Sequence, residues 1–221
     1  MIASPMEATR IIAIRHGETD WNAQTRIQGH IDIPLNNNGR WQAQQLAQAL
    51  VTEDIQAIYS SDLERAYETA NSIRLSHPAL LGNPPKQIKA LRERHFGMFE
   101  GKTWAEIETG WHEQALRWRQ RDVDFAPEGG ENLLQFQTRI SEITDQLAAQ
   151  HTGQQIVLVA HGGVMDVLYR LATRLDLQAP RTWALENTAI NRLLWTPQGM
   201  SLVGWSDTRH LDDKAHDEAS V

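Results

Sequence analysis

Ile11-Ile12-Ala13-Ile14-Arg15-His16-Gly17-Glu18-Thr19-Asp20-Trp21-Asn22 is the stretch around which the rest of the chain is organised. Four apolar residues in series read as a short buried strand, and the run breaks at Arg-His-Gly, where Gly17 permits a backbone turn that other residues resist. An Arg and a His therefore stand at the carboxyl end of a strand, the edge at which open α/β sheets bind ligands. Imidazole is a competent nucleophile near neutrality because its reference pKa is about 6.5. The neighbouring guanidinium offers a fixed fork suited to phosphate oxygens. Taken alone, Arg15 and His16 read first as polar residues closing a strand, so the remainder of the chain has to decide.

Composition narrows the field. At 221 residues the chain can bury a full core, and 41% hydrophobic with 22% charged residues describes an ordinary globular protein. There are no cysteines, which removes disulfides, thiolate metal sites and a cysteine-nucleophile phosphatase. No apolar run is long enough to span a membrane, and Met1 to Arg10 lacks a secretory apolar stretch, so no membrane association is expected and cytoplasm is the expected compartment. A formal charge of -7 argues against binding nucleic acid, which needs a basic face. A small anion is still compatible, because one cation about 4 Å away contributes roughly 4 kcal/mol at an effective dielectric of 20.

Outward from the first strand, Arg26 to Leu35 is too broken by Gly and Pro for a regular element and reads as a loop over the strand edge. Asn36 to Asn38 supply N-cap candidates for a helix with Ala43, Leu46, Ala47 and Leu50 on its apolar face. Ile55 to Ser60 is a second strand, and Ser61-Asp62-Leu63-Glu64 a capping box opening a helix with Ala66, Thr69, Ala70 and Ile73 inward. Arg65 falls in its first turn. A cation placed against a helix N-terminus is better explained by a bound anion than by folding.

A Pro-rich connection over 82–86 leads to a short strand predicted at Ile88 to Leu91. Glu93 follows between Arg92 and Arg94, and reads either as an exposed ion pair worth about 0–1 kcal/mol or as a proton donor just past a strand end. Gly97 to Thr103 imitates a nucleotide phosphate loop, but three residues separate its glycines where four are required. Thr103 to Glu106 is a capping box for a helix reaching about Arg121, and the seven-residue spacing of Trp104, Trp111 and Trp118 predicts a packed face. A loop around Pro127 and Gly129-Gly130 precedes a long helix marked by Leu133, Phe136, Ile140, Ile143 and Leu147.

Gln155 to Ala160 is the clearest strand, and it delivers His161 into Gly162-Gly163 before a helix carrying Val164, Val167, Leu168, Leu171 and Leu175. Two histidines, each after an apolar strand and before glycine, are hard to attribute to chance. Asn187 to Trp195 and Met200 to Trp205 read as a hairpin, and the chain from about 212 to 221 as a loose tail. His210 and His216 lack companions at metal spacing and are assigned to solvent. No internal repeat or linker interrupts this order, which supports one α/β domain over 1–221: a three-layer α/β/α sandwich with a mostly parallel central sheet and a helical cap inserted at about 92–132.

Over nearly its whole length the chain resembles the histidine phosphatase superfamily, in its phosphoglycerate-mutase-like branch. Arg15-His16-Gly17-Glu18-Thr19 with Asn22 resembles the opening signature, and Gln28-Gly29 with Asp32, Pro34 and Leu35 the loop after it. Ser60 to Ala66 with Thr69-Ala70 is similar to the second-arginine motif, Glu93 with Phe96-Gly97 and Glu100-Gly101 to the acid-bearing loop, and Ala160-His161-Gly162-Gly163 to the second histidine motif. Trp205-Ser206-Asp207 with His210-Leu211 resembles the closing segment. Separated motifs in the family's order are specific where any one is weak.

The resemblance implies that His16 attacks phosphorus, that Arg15, Arg65 and His161 hold the phosphoryl oxygens, and that Glu93 is the proton donor. It places Asn22, Gln28, Gly29 and Gly162 among the substrate-binding residues, with no metal and no cofactor. Water as acceptor makes a phosphatase, a bound phosphoacid a mutase. The short Phe99 to Ile107 segment looks like the phosphatase form, so hydrolysis of a small phosphorylated metabolite is the expected activity, with a cofactor-dependent phosphoglycerate mutase second. A non-catalytic phospho-ligand-binding regulator is the third reading, against which all five reacting groups are present. A homodimer through the exposed sheet edge is common among relatives.

Overall fold

A computed structural model describes residues 7–215. In chain order its elements are β1 (Thr9–Arg15), α1 (Asp20–Ala23), α2 (Asn37–Ala49), β2 (Ala57–Ser60), α3 (Glu64–Ser76), β3 (Lys86–Gln87), α4 (Trp104–Gly110), α5 (His112–Arg119), α6 (Leu133–Ala149), β4 (Gln155–Ala160), α7 (Gly162–Thr173), β5 (Ile190–Thr196) and β6 (Gly199–Asp207). The six strands form one sheet in the order β3-β2-β4-β1-β5-β6. The first four are mutually parallel, and β5 and β6 add an antiparallel edge.

The side-chain alternation of β1 and β4 explains the layers. Ile12, Ile14, Val157 and Val159 point to one face, where Leu46 and Leu50 around α2 and Ala66, Ala70 and Ile73 of α3 cover them. Ile11, Ala13, Ile156 and Leu158 point to the other, beneath Phe136 and Ile140 of α6 and Val164, Met165 and Leu168 of α7. A strand buried on both faces reads as a continuous apolar run, which is why β1 and β4 stand out in the sequence. The result is the three-layer α/β/α sandwich with a mostly parallel sheet. Among the described residues no helix is long and apolar enough to cross a membrane.

Several local expectations are corrected. Ile88 to Leu91 is not a strand: β3 is the preceding Lys86–Gln87, and Lys89–Leu91 is a 3-10 turn. The helix expected from Trp104 to Arg121 breaks at Trp111, directly after Gly110, into α4 and α5. Its three tryptophans still pack together, on Phe99, Ile107, Ala115 and Phe125. Ser61 does not cap α3; its Oγ accepts from Leu63 N, while the first free N–H of the helix, on Glu64, donates to Asp32 Oδ1 at 2.8 Å. The cap thus comes from a loop thirty-two residues upstream.

Leu175 lies outside α7, beyond Arg174 in the left-handed region (φ 58°), and is exposed. The hairpin begins at Ile190 rather than Asn187. Gly17 has no positive φ; a Cβ there would sit 2.4 Å from Gly39 O, so close contact with α2 is what requires glycine. His210 is not in solvent: it lies on a 3-10 turn over Arg209–Ala215, both ring nitrogens are out of water, and burial lowers its pKa. His216 and the tail from 216 onward lie outside the described residues.

Candidate active site

β1 and β4 are parallel neighbours with Arg15 opposite Ala160, and His16 N donates to Ala160 O at 3.0 Å. In-register strand ends only one strand spacing apart, about 4.8 Å, must bring the residues that follow them together. The rings of His16 and His161 accordingly lie edge to face with centroids 5.2 Å apart, both buried. His16 Nδ1 contacts Gly17 O at 2.7 Å. A carbonyl only accepts, so Nδ1 carries the proton and Nε2 the lone pair.

Arg65 reaches the same place from the first turn of α3. Its guanidinium donates to Ile31 O and Gly29 O, each at 2.9 Å, and burial lowers its pKa to about 10. Arg15 donates from one terminal nitrogen to Leu185 O, and burial again lowers its pKa, against the pull of Glu93. Burial first, then the charges of Arg65 and Arg15, hold His16 well below the ordinary histidine range; His161 is depressed in the same way, with Arg65 the next cause after burial. Both imidazoles are therefore neutral at pH 7. Arg15 Nε, Arg65 Nε and both ring nitrogens of His161 are out of water without a partner among the described residues. Buried polar groups of this kind call for partners, and phosphoryl oxygens are acceptors for guanidinium N–H.

Glu93 resolves in favour of the site rather than of an ion pair with its chain neighbours. Arg92 is a bidentate partner of Asp62, at 2.7 Å on each side, and Arg94 turns inward to Glu131 O and Phe125 O. The Glu93 carboxylate accepts from Gly163 N at 2.9 Å and Arg94 N at 2.8 Å. Burial nonetheless dominates and raises its pKa, with Arg65 and Arg15 opposing. Its backbone O is held by His30 Nε2 at 2.9 Å, so the loop carrying the acid is fastened from both sides.

The remaining sequence-predicted residues divide. Gly162 begins α7 beside Arg15, 3.5 Å from Arg15 Nε to the place a Cβ would occupy. Gly29 (φ 51°) serves through its carbonyl on Arg65, and a Cβ there would fall 2.1 Å from Glu100 Oε1. Gln28 is buried with Oε1 unpartnered. The carbonyl of Asn22 accepts from Thr19 N and Thr19 Oγ1, capping α1. Its oxygen is therefore a structural acceptor, and only Nδ2 could reach an anion.

Asn187 and Thr188 escaped sequence reasoning, which named Thr69 only as part of the second-arginine motif and not for the bonds it makes. Thr69 Oγ1 accepts from Gly17 N at 3.0 Å and donates to Arg65 O, joining two motifs. Asn187 Nδ2 donates to His16 O at 2.7 Å, and Thr188 N to Arg15 O at 2.8 Å. The Asn and Thr lie in a stretch that reads only as the start of a hairpin. A cavity of about 780 Å³ opens beside the cluster with Arg15, Gly162 and Gly163 in its wall, and a smaller one of about 220 Å³ beside Glu93. Among the described residues no group of three or more His, Asp or Glu is placed to hold a metal.

Comparison with known proteins agrees with this geometry. Residues 11–208 match the histidine phosphatase superfamily (branch 1). The chain is 36% identical to phosphoglycerate mutase-like protein 4 of Arabidopsis thaliana, covering 94% of this chain and 89% of that one. It is also 36% identical to a metal-independent phosphoserine phosphatase of the same plant, covering 93% and 84%. The solved structure of Bacillus stearothermophilus YhfR superposes with a TM-score of 0.83 at 30% identity, over 93% of this chain and all of that one. The chain belongs to branch 1 of the histidine phosphatase superfamily and is an enzyme of its phosphatase type.

Proposed function

We propose that the protein hydrolyses small phosphomonoesters without a metal, through a phosphohistidine on His16. The observation that carries this reading is the 2.7 Å contact from His16 Nδ1 to Gly17 O, which leaves Nε2 as a lone pair in a ring 5.2 Å from that of His161. In the first step the Nε2–P bond forms as the bond from phosphorus to the ester oxygen breaks, and Glu93 gives that oxygen its proton. In the second, Glu93 takes a proton from water, the water oxygen bonds to phosphorus, and the P–N bond breaks to release phosphate. Arg15, Arg65 and His161 offset the charge on the three equatorial oxygens, which is the main demand of phosphoryl transfer. The raised pKa of Glu93 suits a proton donor, and general acid catalysis contributes typically about 10²- to 10⁴-fold.

Residues 7–215 act in this reading as one unit, with 92–132 as the cap that carries Glu93. The relative named phosphoglycerate mutase-like keeps transfer to a second phosphoacid as the alternative. The short Phe99 to Ile107 segment, which resembles the phosphatase form, favours hydrolysis. Phosphate release from p-nitrophenyl phosphate is expected to survive EDTA and to vanish in His16→Ala, whereas Glu93→Gln slows alkyl phosphates far more than the aryl ester. Undiminished turnover in His16→Ala overturns the reading; stimulation only by a bisphosphorylated primer replaces it with the mutase.

A further inference from the structure

The segment between α7 and β5 carries a cation that the chemistry above does not use. Arg181 is exposed, and among the described residues it has no carboxylate or carbonyl partner. Two other guanidiniums feel it: it lowers the pKa of Arg15 and of Arg121. Arg121 is paired with Asp166 at 2.9 Å and Arg15 feels the pull of Glu93, whereas Arg181 only adds like charge to both, which opposes folding. Arg181 is also the one side chain common to the walls of three cavities: the 780 Å³ space beside Arg15, the 220 Å³ space beside Glu93, and a 460 Å³ space reaching Trp104 and Trp118. It stands where they meet, next to the position at which the alcohol part of an ester must lie if Glu93 is to protonate it.

The segment is also held still. Arg170 donates to Asp176 O and, at 2.9 Å, to Ala179 O; Arg121 donates to Leu177 O at 2.5 Å; Trp205 Nε1 donates to Ala184 O at 2.9 Å. Arg15 itself closes the far end on Leu185 O. Two residues past Arg181, Trp183 stacks on Tyr169 at 4.1 Å, and its Nε1 is out of water, without a partner, in a residue lining the 780 Å³ cavity. Five hydrogen bonds to backbone carbonyls thus fix the backbone that carries an unpaired guanidinium and an orphaned indole N–H at the rim of the phosphoryl site. Donors carried on a backbone fixed in advance bind at a smaller ordering cost.

We propose that Arg181, assisted by Trp183 Nε1, binds a second anionic group on the alcohol part of the substrate, so that the preferred substrates are phosphomonoesters of alcohols bearing a carboxylate or a further phosphate. This rests on the phosphatase reading above. The test compares kcat/KM for two matched pairs with the full chain: phosphoserine against O-phosphoethanolamine, and propane-1,3-diol bisphosphate against 3-hydroxypropyl phosphate. Wild type is expected to favour the anionic member of at least one pair. In Arg181→Ala that preference falls by about 10- to 100-fold, as for a lost charge-assisted hydrogen bond, chiefly through KM, and Arg181→Lys restores part of it. The pair that responds identifies the anion. A preference ratio that Arg181→Ala leaves unmoved in both pairs overturns the inference. Failure of wild type to hydrolyse p-nitrophenyl phosphate overturns the phosphatase reading instead.

Discussion

His16 and His161 are buried, neutral and surrounded by cations, and each therefore resists the proton that an unfolded chain would accept near pH 6.5. Their folded pKa values lie below the unfolded value. Between the two, the unfolded state binds more protons, so stability rises with pH and is lost on acidification below about 6.5. Urea unfolding in phosphate-free buffer is expected to show a slope of up to about 1.4 kcal/mol per pH unit for each histidine between pH 5 and 6.5. His161→Gln removes one share of that slope; an unchanged slope would mean that His161 is charged in the fold. At this scale the residues proposed to react were legible, because Arg15, His16 and His161 each stand where an apolar run meets glycine. Arg181, Asn187 and the part that Thr69 plays were not, since each acts through partners more than fifty residues away or through an unpaired charge that only the fold exposes.

Helix α3 shows how an element is completed from elsewhere. Its sequence offers a local capping box with Ser61 as the cap, yet Ser61 Oγ accepts from Leu63 N and the capping acceptor is Asp32. A hydroxyl that bends back on its own turn leaves the first free N–H of the helix to a carboxylate from elsewhere, and a charged acceptor is the stronger partner. Asp32→Ala is expected to lower stability by about 1 kcal/mol, the usual cost of a lost N-cap. Because Arg65 sits in the first turn and is held by Gly29 O and Ile31 O of the same loop, the substitution also raises KM for the phosphomonoester, while Asp32→Asn spares both. Chemical unfolding and steady-state kinetics on the two variants check this, and an unchanged KM in Asp32→Ala would uncouple the cap from the cation. The break at Trp111 was equally illegible: periodicity persists across Gly110, and only the packing of Trp104 against Trp118 at 5.7 Å shows the chain folding back.

The whole molecule supplies the anion site by sheet order. With β4 between β2 and β1, the ends of β1 and β4 and the first turn of α3 face one point, and Glu93 is laid over it by Gly163 N. Arg65, buried, and Arg15, half-buried, each keep an Nε–H without a partner and Arg15 lowers the pKa of Arg65, so an anion that joins them is favoured and inorganic phosphate is expected to stabilise the native state, by about 2.7 kcal/mol at a hundred times its Kd. The shift in thermal midpoint should be lost in Arg65→Ala; a shift retained there would place the anion elsewhere. By itself the sequence determined the buried strands, the helices on their amphipathic faces and the histidines at strand ends, because these rest on residue spacing, which acts within a few residues. Only the tertiary structure decided which strands are neighbours, which carboxylate caps α3, where Arg92 pairs and where Arg181 stands. Those outcomes depend on competition among charges and carbonyls distant in the chain, and that competition is settled only when the core closes.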